Sequence, residues 1–452
     1  MPNRLTDYGD MLAKAWAERA KAADNLAARL LAGPWTEQDL ADGIECVLGP
    51  IHHARRRALA VRLASWADGT YPPSPRALTD YLLRSKFFRP LPGRHVSLVL
   101  DTPRFAPTRN FADLPIPALA TRGELAEWAG VTDGQLEWLA DMRRTHGRSA
   151  EPRLQHYHYG FIAKSNGKTR LLEAPKPRLK ALQRRILHEI LDHVPVHRCA
   201  HGFTRGRSCL TGAQIHAGEA VVATFDLAQF FPSLGLPRIH GVFRSLGYPW
   251  DVARHLARLC TTITPSAVLL RLAAADQHES GLRATYGVPH LPQGAPTSPA
   301  LANLLAWRLD QRLHGLARSA DANFTRYADD LAFSGGVFAE NLGRFGKSVE
   351  TIVREEGFAL NPSKTRVMRQ DARQHVTGIV VNTHCNVGRA AFDRLKAILH
   401  HCITAGPAGQ NRDDVADFRR HLDGRVVWVE HINPRRGAKL RALFDRIDWA
   451  AA

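Results

Sequence analysis

Apolar and polar positions along this 452-residue chain follow two rhythms. In the first third the rhythm is helical. Residues 11–32 are rich in Ala and Leu with charges interleaved, a spacing that predicts an amphipathic helix. Further helices are predicted over 52–67, stopped by Gly69 and Pro72-Pro73, and over 75–86. From Arg89 to Pro117 prolines recur at short intervals around one apolar run, Val96–Leu100, which predicts an extended linker holding a short strand. Helical spacing resumes near residue 120, where Leu125, Trp128, Leu136 and Leu139 fall at core positions of two short helices. A DNA-reading helix pair is the rival reading there, disfavoured by the acidic Glu137 and Asp141 on the second helix.

From residue 156 onward short β-favouring runs mix with helical stretches, which predicts an α+β region. Tyr157–Phe161 and Thr169–Leu172 flank Ser165-Asn166-Gly167-Lys168, a hairpin signal. Residues 177–193 are amphipathic, Val221–Phe225 reads as a strand, and the last 65 or so residues return to helix. The expected division is an amino-terminal helical extension with its Pro-rich linker (1–120), a mixed catalytic region (121–385) and a helical carboxyl end (386–452).

Charge narrows the partners. The formal net charge is +18 and the pI about 10.1, without a long block of one sign, so nucleic acid is the first partner expected. Six scattered cysteines without a Cys-x-x-Cys pair argue against a disulfide framework or a structural zinc site and fit a reducing cytoplasm. No apolar leader follows Met1, and no run of about 18 apolar residues suggests a membrane span.

The most informative chemistry is Tyr327-Ala328-Asp329-Asp330, two adjacent carboxylates at the tip of a predicted hairpin between Phe324–Tyr327 and Leu331–Ser334. Adjacent carboxylates repel, so the arrangement costs stability unless a cation shares them. An acidic surface turn is the bland alternative. Against it stands a third carboxylate, Asp226, at the end of the Val221–Phe225 strand and followed by Phe230 and Phe231. Three carboxylates from two strand ends suit a pair of divalent ions, the arrangement used in nucleotidyl transfer.

From these blocks the region 151–450 resembles a bacterial reverse transcriptase, with the blocks in that family's order. Phe225-Asp226-Leu227 with Phe230-Phe231-Pro232-Ser233 is similar to the first palm motif, Gln293-Gly294-Ala295-Pro296-Thr297-Ser298-Pro299 to the second, and Tyr327–Asp330 to the catalytic hairpin. Gly357-Phe358, Asn361 and Lys364-Thr365 resemble the next block, and Thr377-Gly378 with Val381-Asn382 the one after. The resemblance implies a right-hand polymerase fold, with fingers, a palm built on an antiparallel sheet and a helical thumb. It implies catalysis by Asp226, Asp329 and Asp330, and two Mg²⁺ ions (Mn²⁺ a possible substitute) held by these residues together with Leu227. Lys164, Arg170, Phe230, Phe231, Gln293, Gly294 and Lys364 would surround the deoxynucleoside triphosphate. Phe231 would lie under the sugar and exclude a 2′-hydroxyl, with ordinary core packing as the alternative. Lys364 would protonate or neutralise pyrophosphate, unless it is a surface lysine.

Val376-Thr377-Gly378 and Ala213-Gln214-Ile215-His216 narrow the likeness to retron reverse transcriptases, although Gly212 stands where that element carries Asn. His201–Ser208, with Arg205 and Arg207, resembles the block where fingers meet template. RNA contacts are expected from Arg205, Arg207, His216, Val376, Thr377, Gly378 and the basic carboxyl-terminal residues Arg435, Arg436, Lys439 and Arg441. The run Lys176, Arg178, Lys180, Arg184, Arg185 reads as a phosphate-contacting helix face, or as a solvated one. The implied activity copies part of a cognate structured non-coding RNA into DNA from an RNA 2′-hydroxyl, yielding a branched RNA–DNA product, in anti-phage defence with an effector protein. No His-Asn-His nuclease or RNase H constellation is recognisable. Reverse transcriptases of diversity-generating, abortive-infection or intron type would share the catalytic residues, and a silent RNA-binding scaffold is the reading outside enzymes.

Overall fold

The computed structural model describes residues 4–32, 37–49, 53–66, 75–88, 103–143, 145, 151–163, 169–275 and 281–449. The expected strand Val96–Leu100, the helix stop at Gly69 and Pro72-Pro73, and the hairpin turn 165–168 lie outside these residues. Two compact units form, each from two separated stretches of chain: Met1–Pro195 with Phe231–Leu305, and Val196–Phe230 with Ala306–Ala452.

The first unit opens with four helices, α1 (Arg4–Ala32), α2 (Glu37–Leu48), α3 (His53–Trp66) and α4 (Pro75–Arg84). Their apolar stripes meet in one core that includes Leu26, Leu40, Ile44, Leu59, Leu63, Leu78 and Leu82. Next come the short helices Arg122–Ala129 and Asp133–Leu139, opened by the capping side chains of Thr121 and Thr132. Leu125 and Leu136 are fully buried, and Glu137 bonds His255 and Arg122, so the pair packs into the unit as expected. Strands β1 (Tyr157–Ala163) and β2 (Thr169–Pro175) then pair antiparallel, with Arg170 opposite Ile162. The amphipathic stretch after them is a helix over Pro177–Glu189, stopped by a short 3-10 turn at Leu191–His193. Within the basic run on that helix, Arg185 lies over the Trp128 ring and bonds Glu189, which makes it a packing residue, while Arg184 faces solvent.

The second unit is built on a four-stranded antiparallel sheet of order β4-β5-β3-β6. Its strands are β3 (Val221–Asp226), β4 (Asn323–Tyr327), β5 (Asp330–Gly335) and β6 (Arg366–Arg369). β3 is interior and almost wholly buried, which explains why it reads as a continuous apolar run and not as an alternation. Phe324 stacks on Phe333, whose edge meets Phe345 of the helix Leu342–Glu355. A small hairpin, β7 (His375–Val376) and β8 (Ile379–Val380), follows. The unit closes with helices Arg389–Ala405, Phe418–Ile432 and Pro434–Phe444 around Leu399, Leu422, Val426 and Leu440. Gly437 is required there: a Cβ would lie 2.3 Å from the Glu430 Cα, so only glycine lets the last two helices approach this closely.

Candidate active site

The carboxylate cluster forms where β3 and the β4–β5 hairpin end together. Tyr327 pairs with Asp330, leaving Ala328 and Asp329 as a two-residue turn, and Ala328 adopts the left-handed backbone region at φ 56°. On the neighbouring ladder Asp226 stands directly opposite Asp330, and the Leu227 amide donates to the Asp329 carbonyl at 2.9 Å. Cross-strand partners bring their Cβ atoms to within about 5.5 Å, where like charges destabilise a sheet. The three expected carboxylates are thus brought together by β-sheet register. Leu227 is 1% exposed and has an apolar side chain, so only its backbone carbonyl is available to an ion.

The electrostatics show the strain. Partial burial, then repulsion from Asp329 and Asp226, pushes the Asp330 pKa up to about 6, although the residue remains open to solvent on one side. Lys364 answers with its ammonium 2.7 Å from Asp226 Oδ1, and the Asn361 amide donates to Asp226 Oδ2 at 3.3 Å. Burial alone would lower Lys364, but the bond to Asp226 and the charges of Asp329 and Asp330 outweigh it and hold its pKa above the usual range. The backbone helps too: Asn361 donates its amide to the Asp226 carbonyl at 2.8 Å.

Beneath the turn lies an ion pair the sequence did not announce. Arg326 and Asp310 are both 0% exposed and joined by two bonds, Nε to Oδ1 at 2.6 Å and an Nη to Oδ2 at 2.7 Å. A further Arg326 N–H donates to the Ala328 carbonyl at 3.0 Å, holding the left-handed residue of the Ala328-Asp329 turn. The loop before it is pinned by the His201 amide donating to the Arg326 carbonyl at 2.8 Å. Gly202 permits that contact, since a Cβ there would lie 2.6 Å from the Ala328 nitrogen. Phe203 follows, half exposed, with its ring centroid 6.4 Å from that of Tyr327.

The donor set suits a hard divalent cation: three carboxylates, with no thiolate or imidazole among them. Among the described residues no group of three His, Cys, Asp or Glu side chains is already drawn into ion-holding geometry. The Lys364 ammonium bonded to Asp226 Oδ1 is the cation that sits against the three carboxylates here.

Residues 162–381 match the family described as reverse transcriptase (RNA-dependent DNA polymerase). The chain is 40% identical over 329 residues to the retron Mx65 reverse transcriptase of Myxococcus xanthus, covering 72% of this chain and 71% of that protein. It is 34% identical over 343 residues to the retron Mx162 reverse transcriptase of the same organism, covering 73% and 67%. With the retron Ec86 reverse transcriptase of Escherichia coli it shares 32% identity over 283 residues, 62% and 77% of the two chains. The chain belongs to the retron reverse transcriptases. It is an RNA-directed DNA polymerase.

The remaining expected contacts divide clearly. Lys164 lies outside the described residues. Arg170 is exposed on β2, and Phe231 is half buried. Gln293 accepts from the Glu173 amide through its backbone, while its side-chain oxygen is buried without a hydrogen-bond partner. Gly294 is exposed at φ 130°, a backbone region that favours glycine, and a Cβ there would lie 3.1 Å from the Glu173 carbonyl oxygen. The Phe230 side chain needs correction: it is 3% exposed and packs on Phe358, so the ring belongs to the core and offers no stacking surface.

Several expected RNA contacts are corrected in the same way. His216 is 0% exposed, with its ring nitrogens 2.7 Å from the Ser334 and Thr325 hydroxyls, so it braces the sheet. Arg207 is not overturned: it donates one nitrogen to the carbonyls of His197, Arg198 and Ala200 and stays partly exposed. Val376 is 3% exposed. Thr377 and Gly378 form the two-residue turn of the β7–β8 hairpin, both with positive φ, and Gly378 is exposed at its tip. In the last helix Arg435 and Lys439 face solvent, and Arg436 lies over the Phe392 ring. Arg441 is bound by Glu430 and Asp423, so its charge is neutralised within the protein. Arg205 stays exposed.

Proposed function

We propose that this retron reverse transcriptase copies part of a cognate structured non-coding RNA into DNA, starting from an RNA 2′-hydroxyl and leaving a branched RNA–DNA product. The observation that carries the chemistry is the cross-strand pair Asp226–Asp330 with Asp329 on the adjoining turn and Lys364 bound to Asp226. Asp226, Asp329 and Asp330, with the Leu227 carbonyl, would hold two Mg²⁺ ions, or Mn²⁺ in their place. Bound there, such ions would lower the pKa of the attacking hydroxyl and neutralise the departing pyrophosphate.

The protein's own groups do the rest. Asn361 and the sheet backbone orient Asp226. Lys364, displaced from Asp226, has a charge to offer a phosphate. Arg170 supports the triphosphate, where a guanidinium fork suits phosphate oxygens. Phe231 selects deoxyribose, and Gln293 with Gly294 supplies a small turn whose backbone suits close approach to template and incoming base. In these terms the β1–β2 hairpin belongs to the fingers, the four-stranded sheet to the palm and the last three helices to the thumb. RNA recognition falls to Arg205, Phe203, Gly378, Arg435 and Lys439, which remain on the surface. Six cysteines without a disulfide among the described residues agree with a cytoplasmic enzyme. We further read the enzyme as acting in anti-phage defence with an effector protein, as the family resemblance implies.

Co-expression of the chain with its RNA, followed by isolation of nucleic acid, should yield DNA joined to RNA through a branch. Asp329→Asn and Asp226→Asn should each abolish that DNA while RNA still co-purifies with the protein. Near-normal synthesis by either variant would remove the carboxylate assignment.

A further inference from the structure

The amino-terminal bundle contributes no residue to the catalytic cluster, yet its charge is unevenly placed. Residues 1–50 carry five basic and eight acidic side chains, whereas 51–88 carry seven basic and two acidic. The basic half includes α3 and α4, and there a cleft of about 650 Å³ opens, lined by Arg62, Trp66, Tyr81, Arg84, Lys86 and Phe87, with Asp80 on its wall. Trp66 and Tyr81 stack at 4.3 Å with their planes 21° apart. Trp66 is nevertheless 40% exposed, and the core face of α3 is already supplied by Leu59, Ala60 and Leu63. The Arg62 guanidinium lies 4.7 Å, and the Lys86 ammonium 5.3 Å, from the centroid of the Phe87 ring. A second hollow of about 660 Å³, lined by His53, Arg57, Val61 and again Arg62 and Phe87, adjoins it.

Cations fixed beside flat, partly exposed rings are what an unpaired nucleotide segment requires. Bases stack on the rings, whichever base they are, and the backbone follows the cations. A duplex cannot use such a site, because its base faces are already stacked inside the helix. We propose that the α3–α4 cleft is a second nucleic-acid site that binds a single strand, with a base on the outer face of Trp66 and phosphates on Arg62, Arg84 and Lys86. The strand is either an unpaired part of the RNA or the DNA made from it; both present the same stacking faces and phosphates. The proposal stands apart from the catalytic assignment, and its test does not depend on DNA synthesis.

The full chain, saturated with unlabelled primer–template duplex, is titrated with a fluorescein-labelled twelve-nucleotide oligo-U RNA or oligo-dT DNA, and anisotropy is read across a salt series. The wild type should bind this additional strand. Trp66→Ala should weaken it about tenfold or more, and Trp66→Phe should retain most of the affinity, which separates stacking from a folding defect. The combined Arg62→Gln, Arg84→Gln, Lys86→Gln variant should lower the salt slope by about 2, while extension of a generic primer stays at the wild-type rate. Tighter binding of the RNA probe would assign the cleft to the transcript, of the DNA probe to the product, and equal binding to a platform blind to the sugar. The proposal fails if the saturated wild type binds no second strand, or if both variants bind it like the wild type. It fails equally if oligoglutamate of matched charge displaces the strand as readily as unlabelled oligo-U.

Discussion

Asp330 and Phe231 show how much a single side chain carries and how its role depends on what surrounds it. The carboxylate types were legible in the sequence, because adjacent acids between two β-favouring runs have few structural uses. Their partners were not. Lys364 lies 138 residues from Asp226, and nothing in its local sequence shows that it ends on that carboxylate. The sequence put both Phe230 and Phe231 around the nucleotide and only Phe231 under the sugar; in the fold Phe230 is sealed in the core and Phe231 is half buried. If Phe231 lies beneath the sugar, Phe231→Ala should admit ribonucleotides, read as the ratio of ribonucleotide to deoxyribonucleotide incorporation on one template. An active variant with the wild-type ratio would return Phe231 to ordinary packing.

Elements in this molecule are held by groups that no periodicity discloses. The hairpin carrying Asp329 and Asp330 was predicted in place, but its support by the buried Arg326–Asp310 pair was invisible, because the two partners sit 16 residues apart on a strand and a helix. Removing one partner of a buried pair strands the other charge, a loss of about 3–5 kcal/mol. Asp310→Ala should therefore lower the urea midpoint by a corresponding amount and cut primer extension as the Ala328 turn loosens. Replacing both residues with apolar ones of similar volume should recover most of the stability but not the activity. A loss under about 1 kcal/mol for Asp310→Ala would show that water reaches Arg326 and relieves its charge. The Thr377-Gly378 turn teaches a related lesson: a motif resembling a recognition signature is also a two-residue hairpin turn, with a β-branched residue in a backbone region it disfavours.

At the scale of the whole molecule, burial of histidines sets the response to acid. Burial, with a smaller push from His201, lowers the His216 pKa to about 3, and burial lowers His240 to about 4. Below pH 6.5, the ordinary histidine value, the unfolded chain binds protons that the folded chain refuses, so stability is complete above that pH and drains away as pH falls toward those two values. Asp330 acts in the opposite sense, since its raised pKa lets the folded state take a proton first between about 6 and the ordinary carboxylate range. Two imidazoles outweigh one half-open carboxylate, so the denaturation midpoint should fall steadily from pH 7 to pH 5. His216→Gln, which keeps a neutral polar side chain beside Thr325 and Ser334, should flatten that slope. A slope equal to the wild type would mean that His216 is already protonated in the fold.

The sequence by itself determined the nature of the protein: its basic charge, its helical beginning and end, the hairpin carrying Asp329 and Asp330, the strand ending in Asp226, and the block order of a reverse transcriptase. These are local properties, set by periodicity, turn chemistry and residue type within a few positions. Only the tertiary structure decided which charges meet and which are cancelled. It placed Lys364 on Asp226, paired Arg441 with Glu430 and Asp423, and turned His216 inward as a brace where it had looked like an RNA contact. It also set Arg62, Arg84 and Lys86 around exposed rings. A cation's role depends on its nearest partner and on its burial, and both are settled by contacts between residues far apart in the chain.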